Sequence, residues 1–326
     1  MTDKNDSKKK LDRILTELEK DYSVSKAKDF TNDERIPTGV FGLDMILNGG
    51  ISRGSGGHII EFFGAESSCK STFALKTIAN YQKMDKTCAF IDGENSYDSE
   101  WAEILGIDND NLIIVKPNSL EEMGEILVKL INKEVDLIVV DSIVSFIPED
   151  EIERDMNAPT MALGARINAL ITRKINQTIT GKKVNIIFIN QLREKIGVMY
   201  GNPYTTGGGR ALKHLYHTRI EMKSGKPIDI GSGDNKSRIG YEISLKCIKN
   251  KKGTPYKTAL VDFYFTGRID NCKPIFFTAI KHNIIELKGK TYTWQEKTAV
   301  GKDKFIELLT DKDWIKLEAE IWKEIK

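Results

Sequence analysis

Apolar positions between residues 36 and 266 follow two alternating rhythms. Short unbroken runs at His58–Phe63, Thr87–Ile91, Leu112–Val115, Asp136–Val140 and Val184–Ile189 predict strands covered on both faces. Between them the spacing lengthens to that of helices. Ser119-Leu120-Glu121-Glu122 predicts a capping box, and Met123, Ile126, Leu127, Leu130 and Ile131 then fall on one helical face. This alternation predicts an α/β fold, a largely parallel sheet wrapped by helices. Such a sheet binds ligands at the carboxyl ends of its strands, so the residues that follow each apolar run carry the chemistry.

The flanks read differently. Lys8–Asp21 predicts a helix with Leu11, Ile14, Leu15 and Leu18 on one face, followed by a polar stretch from Ser23 to Glu34. So short a helix does not hold alone, so its stripe must dock, either on its own domain or on a neighbouring subunit. After Thr218 the pieces Thr218–Met222, Gly240–Ile248 and Leu260–Phe265 predict antiparallel strands that extend the sheet. From about Arg268, the segments Lys304–Leu309 and Trp314–Ile325 predict a small α+β unit containing Trp294, Trp314 and Trp322. The expected division is an arm and linker over 1–34, a core over 35–267 and a small unit over 268–326, within the range for 326 residues.

Composition narrows the classes. The longest apolar candidate, Val135–Ile147, is interrupted by Asp141 and falls short of the roughly 18 residues that span a bilayer. Met1-Thr2-Asp3-Lys4-Asn5-Asp6 has no apolar core of a secretory leader. A cytoplasmic protein without a membrane partner is therefore expected. With 49 Lys and Arg against 47 Asp and Glu, any polyanion must be held by a local patch and not by the whole-molecule field. Cys69, Cys88, Cys247 and Cys272 form no paired spacing, and Cys88 reads as a core thiol. His214 and His217 could share a helical face, but no Cys or acidic ligand pattern accompanies them, so a structural metal is not expected.

The first strand runs into Gly64-Ala65-Glu66-Ser67-Ser68-Cys69-Lys70-Ser71-Thr72, followed by a helical pattern through Ala74, Ile78 and Tyr81. This nearly matches the phosphate-binding loop G-x-x-x-x-G-K-[ST] in its strand–loop–helix setting. Backbone N–H groups and a helix N-terminus cradle phosphate there, Lys70 reaching the β- and γ-phosphates of ATP and Ser71 ligating Mg2+. The departure is Cys69 in place of glycine. If that position needs positive φ, its Cβ costs about 1–2 kcal/mol. Val135-Asp136-Leu137-Ile138-Val139-Val140-Asp141 is an apolar strand ending in an acid, the arrangement that holds the magnesium shell, with Asp141 acting through water. Thr87–Ile91 ends in Asp92-Gly93-Glu94, where a carboxylate could polarise an attacking water or simply sit in a solvated loop.

Taken in order, these motifs resemble the bacterial RecA recombinases. They are joined by Ala89-Phe90-Ile91-Asp92-Gly93-Glu94, Val139-Val140-Asp141-Ser142, Ile187-Phe188-Ile189-Asn190-Gln191-Leu192-Arg193, Lys195-Ile196-Gly197-Val198-Met199-Tyr200-Gly201-Asn202-Pro203 and Lys249-Asn250-Lys251. The likeness covers about Lys8 to Phe265 closely and the remainder loosely. Its divergence fits a phage-encoded or mobile-element relative better than a standard chromosomal copy. The resemblance implies that Glu94 activates the hydrolytic water and that Gln191 senses the γ-phosphate. It implies that Asp98 and Trp101 contact adenine, and that Lys249 and Lys251 reach a neighbouring subunit's γ-phosphate. Without it, Lys249 and Lys251 would read as a solvated charge run.

Two segments read as loops for nucleic acid. Glu153–Met161 carries Arg154, Asn157, Ala158 and Pro159; Arg193–Arg210 carries Lys195, Gly197, Met199, Tyr200, Asn202, Thr205 and Gly207-Gly208-Gly209. A glycine-rich loop of that length in a compact domain is normally functional, and its amides, hydroxyls and cations can follow phosphates without reading bases. By resemblance these are the family's two DNA loops, with Arg166, Arg193, Lys195, Arg210 and Lys213 as the basic contacts. The last residues mix acids with Lys312, Lys316, Lys323 and Lys326, unlike the purely acidic tail common in the family. The implied function is a DNA-dependent ATPase that forms helical filaments on single-stranded DNA, binds double-stranded DNA and exchanges strands. The rivals are a ring-forming helicase of the same fold and an ATP-binding DNA coat with weak turnover.

Overall fold

A computed structural model describes residues 2–22, 24, 26, 34–54, 56–153, 163–194 and 203–325. Helix α1 (Thr2–Leu18) comes first. A short pair, β1 (Arg35–Ile36) with β2 (Ile51–Ser52), brackets α2 (Phe41–Ile46). The main sheet is then laid down. Its strands are β3 (His58–Gly64), β4 (Cys88–Asp92), β5 (Leu112–Val115), β6 (Leu137–Asp141), β7 (Asn185–Glu194), β8 (Tyr204–Thr206), β9 (Thr218–Ile230), β10 (Ser237–Asn250), β11 (Thr258–Tyr264) and β12 (Ile269–Asp270). The helices between them are α3 (Lys70–Gln82), α4 (Ser99–Ile104), α5 (Leu120–Asn132), α6 (Glu149–Ile152), α7 (Leu163–Thr178) and α8 (Gly209–Leu215). The chain ends with α9 (Cys272–Lys281), the strands β13 (Glu286–Lys288), β14 (Thr291–Trp294) and β15 (Lys297–Val300), α10 (Lys302–Glu307) and α11 (Asp311–Ile325).

The strand order is β5-β4-β6-β7-β3-β9-β10-β11-β12. Among the described residues the first six run parallel and the rest alternate, the fold class the apolar rhythm predicts. Alternate residues feed two cores. Ile60, Phe62, Val139 and Ile187 pack beneath α3, whereas Ile59, Val140, Ile186 and Phe188 pack beneath α5, α7 and α8. A third cluster around Phe276, Trp294, Phe305 and Leu317 closes the C-terminal part over its antiparallel sheet, and Phe41 of α2 belongs to it.

Several expectations need amendment. Helix α1 begins at Thr2, six residues before the expected start at Lys8, and ends at Leu18. Among the described residues the stripe is largely uncovered: Leu11, Ile14 and Leu18 are 49%, 43% and 40% exposed, and Leu15 is half-buried. Strand β9 does not join as a purely antiparallel extension, because its first residues pair parallel with β3. Beyond its pairing with β3 it continues alongside β10, which β11 flanks on the other side as far as Gly240. Pairing direction is invisible in an apolar pattern, which reports only burial. Cys88 is buried as expected, but His217 lies beyond the end of α8 and shares no helical face with His214. Among the described residues no helix is long and apolar enough to cross a membrane.

Candidate nucleotide and nucleic-acid site

Strand register assembles the site. Gly64 at the end of β3 lies beside Gln191 of β7, and Asp92 at the end of β4 lies beside Asp141 of β6. Four segments separated in sequence therefore deliver their chemistry to one edge.

From Gly64 the chain turns through Ala65, Glu66 and Ser67, all exposed, to Ser68, Cys69 and Lys70, which opens α3 ahead of Ser71 and Thr72. Gly64 is required by close approach, since a Cβ there would lie 2.1 Å from the Met222 carbonyl oxygen. Cys69 takes φ 60° and ψ 24° as the residue before α3, so the position does demand the left-handed conformation that glycine adopts freely. The Cys69 thiol is pushed up to about 11 by burial. Lys70 is buried, and its Nζ donates to Ala65 O at 2.7 Å and Ser68 Oγ at 3.4 Å. Burial lowers the Lys70 pKa, opposed by the nearby charges of Asp141 and Glu94.

Asp141 is 2% exposed. Burial raises its carboxyl to about 6, while a hydrogen bond with Ser71 and the Lys70 charge favour the ionised form. A desolvated carboxylate next to a hydroxyl is a hard-oxygen pair suited to Mg2+. Glu94 is exposed, but its Oε1 accepts from Ser142 Oγ at 2.6 Å, Gln191 Nε2 at 3.1 Å and Ser145 Oγ at 3.3 Å. The loop bearing Glu94 is fixed from behind, since Gly93 N donates to Asp141 O and the Asp92 carboxylate accepts from Ser96 N and Tyr97 N. At the same edge, Asp98 caps α4, its Oδ1 accepting from Glu100 N and Trp101 N, and the Trp101 indole packs half-buried against the core.

The segment expected as one loop over Arg193–Arg210 is built at both ends. Leu192, Arg193 and Glu194 pair antiparallel with Thr206, Thr205 and Tyr204, and α8 starts at Gly209. Lys195, Gly197, Met199, Tyr200 and Asn202 lie outside the described residues, as do Arg154, Asn157, Ala158, Pro159 and Met161. A cavity of about 350 Å³ runs between Arg193, Gly207, Gly208 and Gly209 on one side and Pro148 and Asn168 on the other. Gly207 closes against Val144, and Gly208 takes φ 81° ahead of α8. Arg166 and Arg210 are exposed, whereas the Lys213 amine donates to Thr205 Oγ1.

Lys249 and Lys251 are not brought to the phosphate loop. Lys249 pairs with Arg219, which pairs with Glu61 in mid-strand. Lys251 N donates to His217 O, and His217 N to Ile59 O, toward the amino end of β3. The Lys249 amine donates to the Lys213 and His214 carbonyls and is lowered to about 8, by burial first and then by Lys251 and Arg219.

Residues 9–270 match the family model for the RecA N-terminal domain. This chain belongs to the RecA family. It is 40% identical to Protein RecA of Petrotoga mobilis, over 92% of this chain and 84% of the relative. It is 37% identical to that of Lactobacillus johnsonii (99% and 88%) and 38% identical to that of Acholeplasma laidlawii (94% and 94%). RecA membership carries the recombinase role in recombination and repair. It implies a DNA-dependent ATPase that uses nucleotide and Mg2+. The relatives named are bacterial and give a phage-borne origin no support.

Sequence reasoning missed the residues that organise this edge. Ser142 and Ser145 orient Glu94, and Glu61, Asn190 and Arg219 form a buried polar cluster behind it. The signal for Glu61 was available: one acid in the middle of the apolar run His58–Phe63.

Proposed function

We propose that this protein hydrolyses ATP to ADP and phosphate while polymerised on single-stranded DNA, binds duplex DNA second, and pairs and exchanges homologous strands. The observation that carries the reading is the hydrogen bond from Gln191 Nε2 to Glu94 Oε1. It ties the carboxylate for hydrolysis to the strand that leads into the DNA loop.

Within one protomer, Lys70 and the amides of 65–70 would hold the β- and γ-phosphates, Asp98 and Trp101 the base. Ser71, and Asp141 through water, would hold Mg2+, whose chemistry is to neutralise phosphate charge during transfer. With Oε1 already accepting three donors, Glu94 has Oε2 to take the proton of the attacking water. Competition for the Gln191 amide between Glu94 and a γ-phosphate would pull Gln191 and order the Arg193–Arg210 loop for DNA. There Arg193, Lys195, Arg166, Arg210 and Lys213, with Gly197, Met199, Tyr200, Asn202, Thr205, Gly207 and Gly208, would track the strand.

Lys249 and Lys251 then act on a neighbour. A head-to-tail contact repeats as a helical filament and sets them against the next protomer's γ-phosphate, where cations offset transition-state charge. The uncovered stripe of α1 is available for the same contact. In this reading 1–34 is the assembly arm, 35–267 the ATPase core and 268–326 a separate small unit, and the setting is a bacterial cytoplasm. ATP-dependent strand exchange between a circular single strand and a linear duplex tests it. Exchange with ATP and none without it is expected; a DNA coat without turnover would release no phosphate on single-stranded DNA.

A further inference from the structure

Behind the phosphate loop, Glu61 is fully buried in β3, in the middle of the parallel sheet. Its Oε2 accepts from Arg219 Nε of β9, and its Oε1 accepts from Asn190 Nδ2 of β7 at 2.9 Å. The same Asn190 amide lies 3.3 Å from the Gly207 carbonyl, and Asn190 Oδ1 accepts from Gln191 N at 2.9 Å. Arg219 Nη2 donates to Thr206 Oγ1 at 3.0 Å, and its guanidinium lies 5.0 Å from the centre of the Phe63 ring. One carboxylate therefore holds residues 190–191, just before the DNA loop, and, through Asn190 and Arg219, residues 206–207 near the loop's far end.

We propose that the Glu61–Arg219 pair, with Asn190 and Thr206, is a positioning device that transmits the state of the nucleotide site to both flanks of the DNA loop. The proposal rests on the reading above, that Gln191 responds to nucleotide and that residues 193–210 grip DNA. A buried ion pair is weak ground for stability, because apolar side chains of equal volume often serve as well. Its use here is geometric. Polar networks in a low-dielectric interior are costly when half-satisfied, so they switch between whole arrangements and do not deform gradually. Movement of Gln191 pulls on Asn190, which shares its amide between Glu61 and Gly207. Glu61 in turn orients Arg219 on Thr206. The carboxylate is pushed up by burial and drawn back by Arg219, Asn190 and Thr206, so the ionised form depends on those partners staying in place. Gly207 itself packs closely on Val144, where an added Cβ would lie 2.3 Å from the side chain.

The test measures the affinity of a labelled single-stranded oligonucleotide with and without a slowly hydrolysed ATP analogue, together with analogue affinity. Linked sites typically show an affinity ratio of about 5- to 150-fold, and the unaltered chain is expected in that range. Thr206→Val keeps the volume and removes the hydroxyl; Glu61→Gln keeps an acceptor and removes the charge. In both, the ratio is expected to fall to about twofold or less while analogue affinity changes by less than about twofold. Thr206→Ser is expected to restore the ratio. A merely structural role would lower melting temperature and leave the ratio alone, and a full ratio in Thr206→Val overturns the proposal even if Glu61→Gln does not fold. If the unaltered chain itself shows no ratio, the proposed function fails first.

Discussion

Gln191 and Glu94, 97 positions apart in sequence, meet through one hydrogen bond of 3.1 Å from Nε2 to Oε1. The contact follows from sheet register, which sets the end of β7 beside the end of β3 and near β4 and β6. It joins a group suited to accept a proton from water to the root of a segment suited to hold DNA. Glu94→Gln keeps the shape and removes the base. Phosphate release on single-stranded DNA should fall by about 10²–10⁴, the usual worth of a positioned general base, with ATP affinity retained. Turnover at the parental rate would remove Glu94 from the reaction.

Cys69 holds a conformation that glycine adopts at no steric cost. Cys69→Gly should relieve about 1–2 kcal/mol of strain, less the added entropy of the unfolded chain. A rise in melting temperature of about 1–2 °C per kcal/mol recovered is expected. A lower melting temperature would mean that the thiol's packing against the α3 core outweighs the strain.

Asp44 supplies a pH signature away from the site. Its buried carboxyl is raised to about 7, chiefly by desolvation, and its Oδ1 accepts from Thr38 N and Thr38 Oγ1. The folded state therefore favours the protonated form. The stability this gives is complete below the unfolded carboxyl value and is lost as pH rises through about 7. Asp44→Asn keeps the accepting oxygen and cannot ionise, so its denaturation midpoint should fall less between acidic and neutral pH than the parent's. Parallel pH profiles would show that Asp44 is ionised throughout.

Arg193 is exposed at the mouth of the cavity beside Gly207 and Gly208. If it contacts phosphate, Arg193→Ala should weaken single-strand binding uniformly across sequences and reduce the logarithmic salt slope by about 1. An unchanged slope would take Arg193 off the DNA.

The parallel core was legible because strands buried on both faces leave unbroken apolar runs, and the phosphate loop was legible because its residues are contiguous. The direction of β9 was not, since Thr218–Met222 reads the same whether it pairs with β3 or turns back. Nor was the cluster behind the loop. Glu61 meets Asn190 and Arg219 across 129 and 158 positions, and only the assembled sheet brings them together. The α1 stripe was legible as one helical face, whereas the exposure of Leu11, Ile14 and Leu18 is visible only in the folded chain.

Subunit mixing bears most directly on the shared nucleotide site. Copies carrying Lys70→Ala lack their own phosphate grip but keep Lys249 and Lys251, and copies carrying Lys249→Ala with Lys251→Ala have the reverse defect. Each alone should release almost no phosphate on single-stranded DNA. Mixed in equal amounts, random head-to-tail assembly completes about one contact in four, and turnover should recover to roughly that fraction of the parent's. Co-assembled filaments that stay inactive, or a lysine double variant that is fully active alone, would contradict a site shared between neighbours.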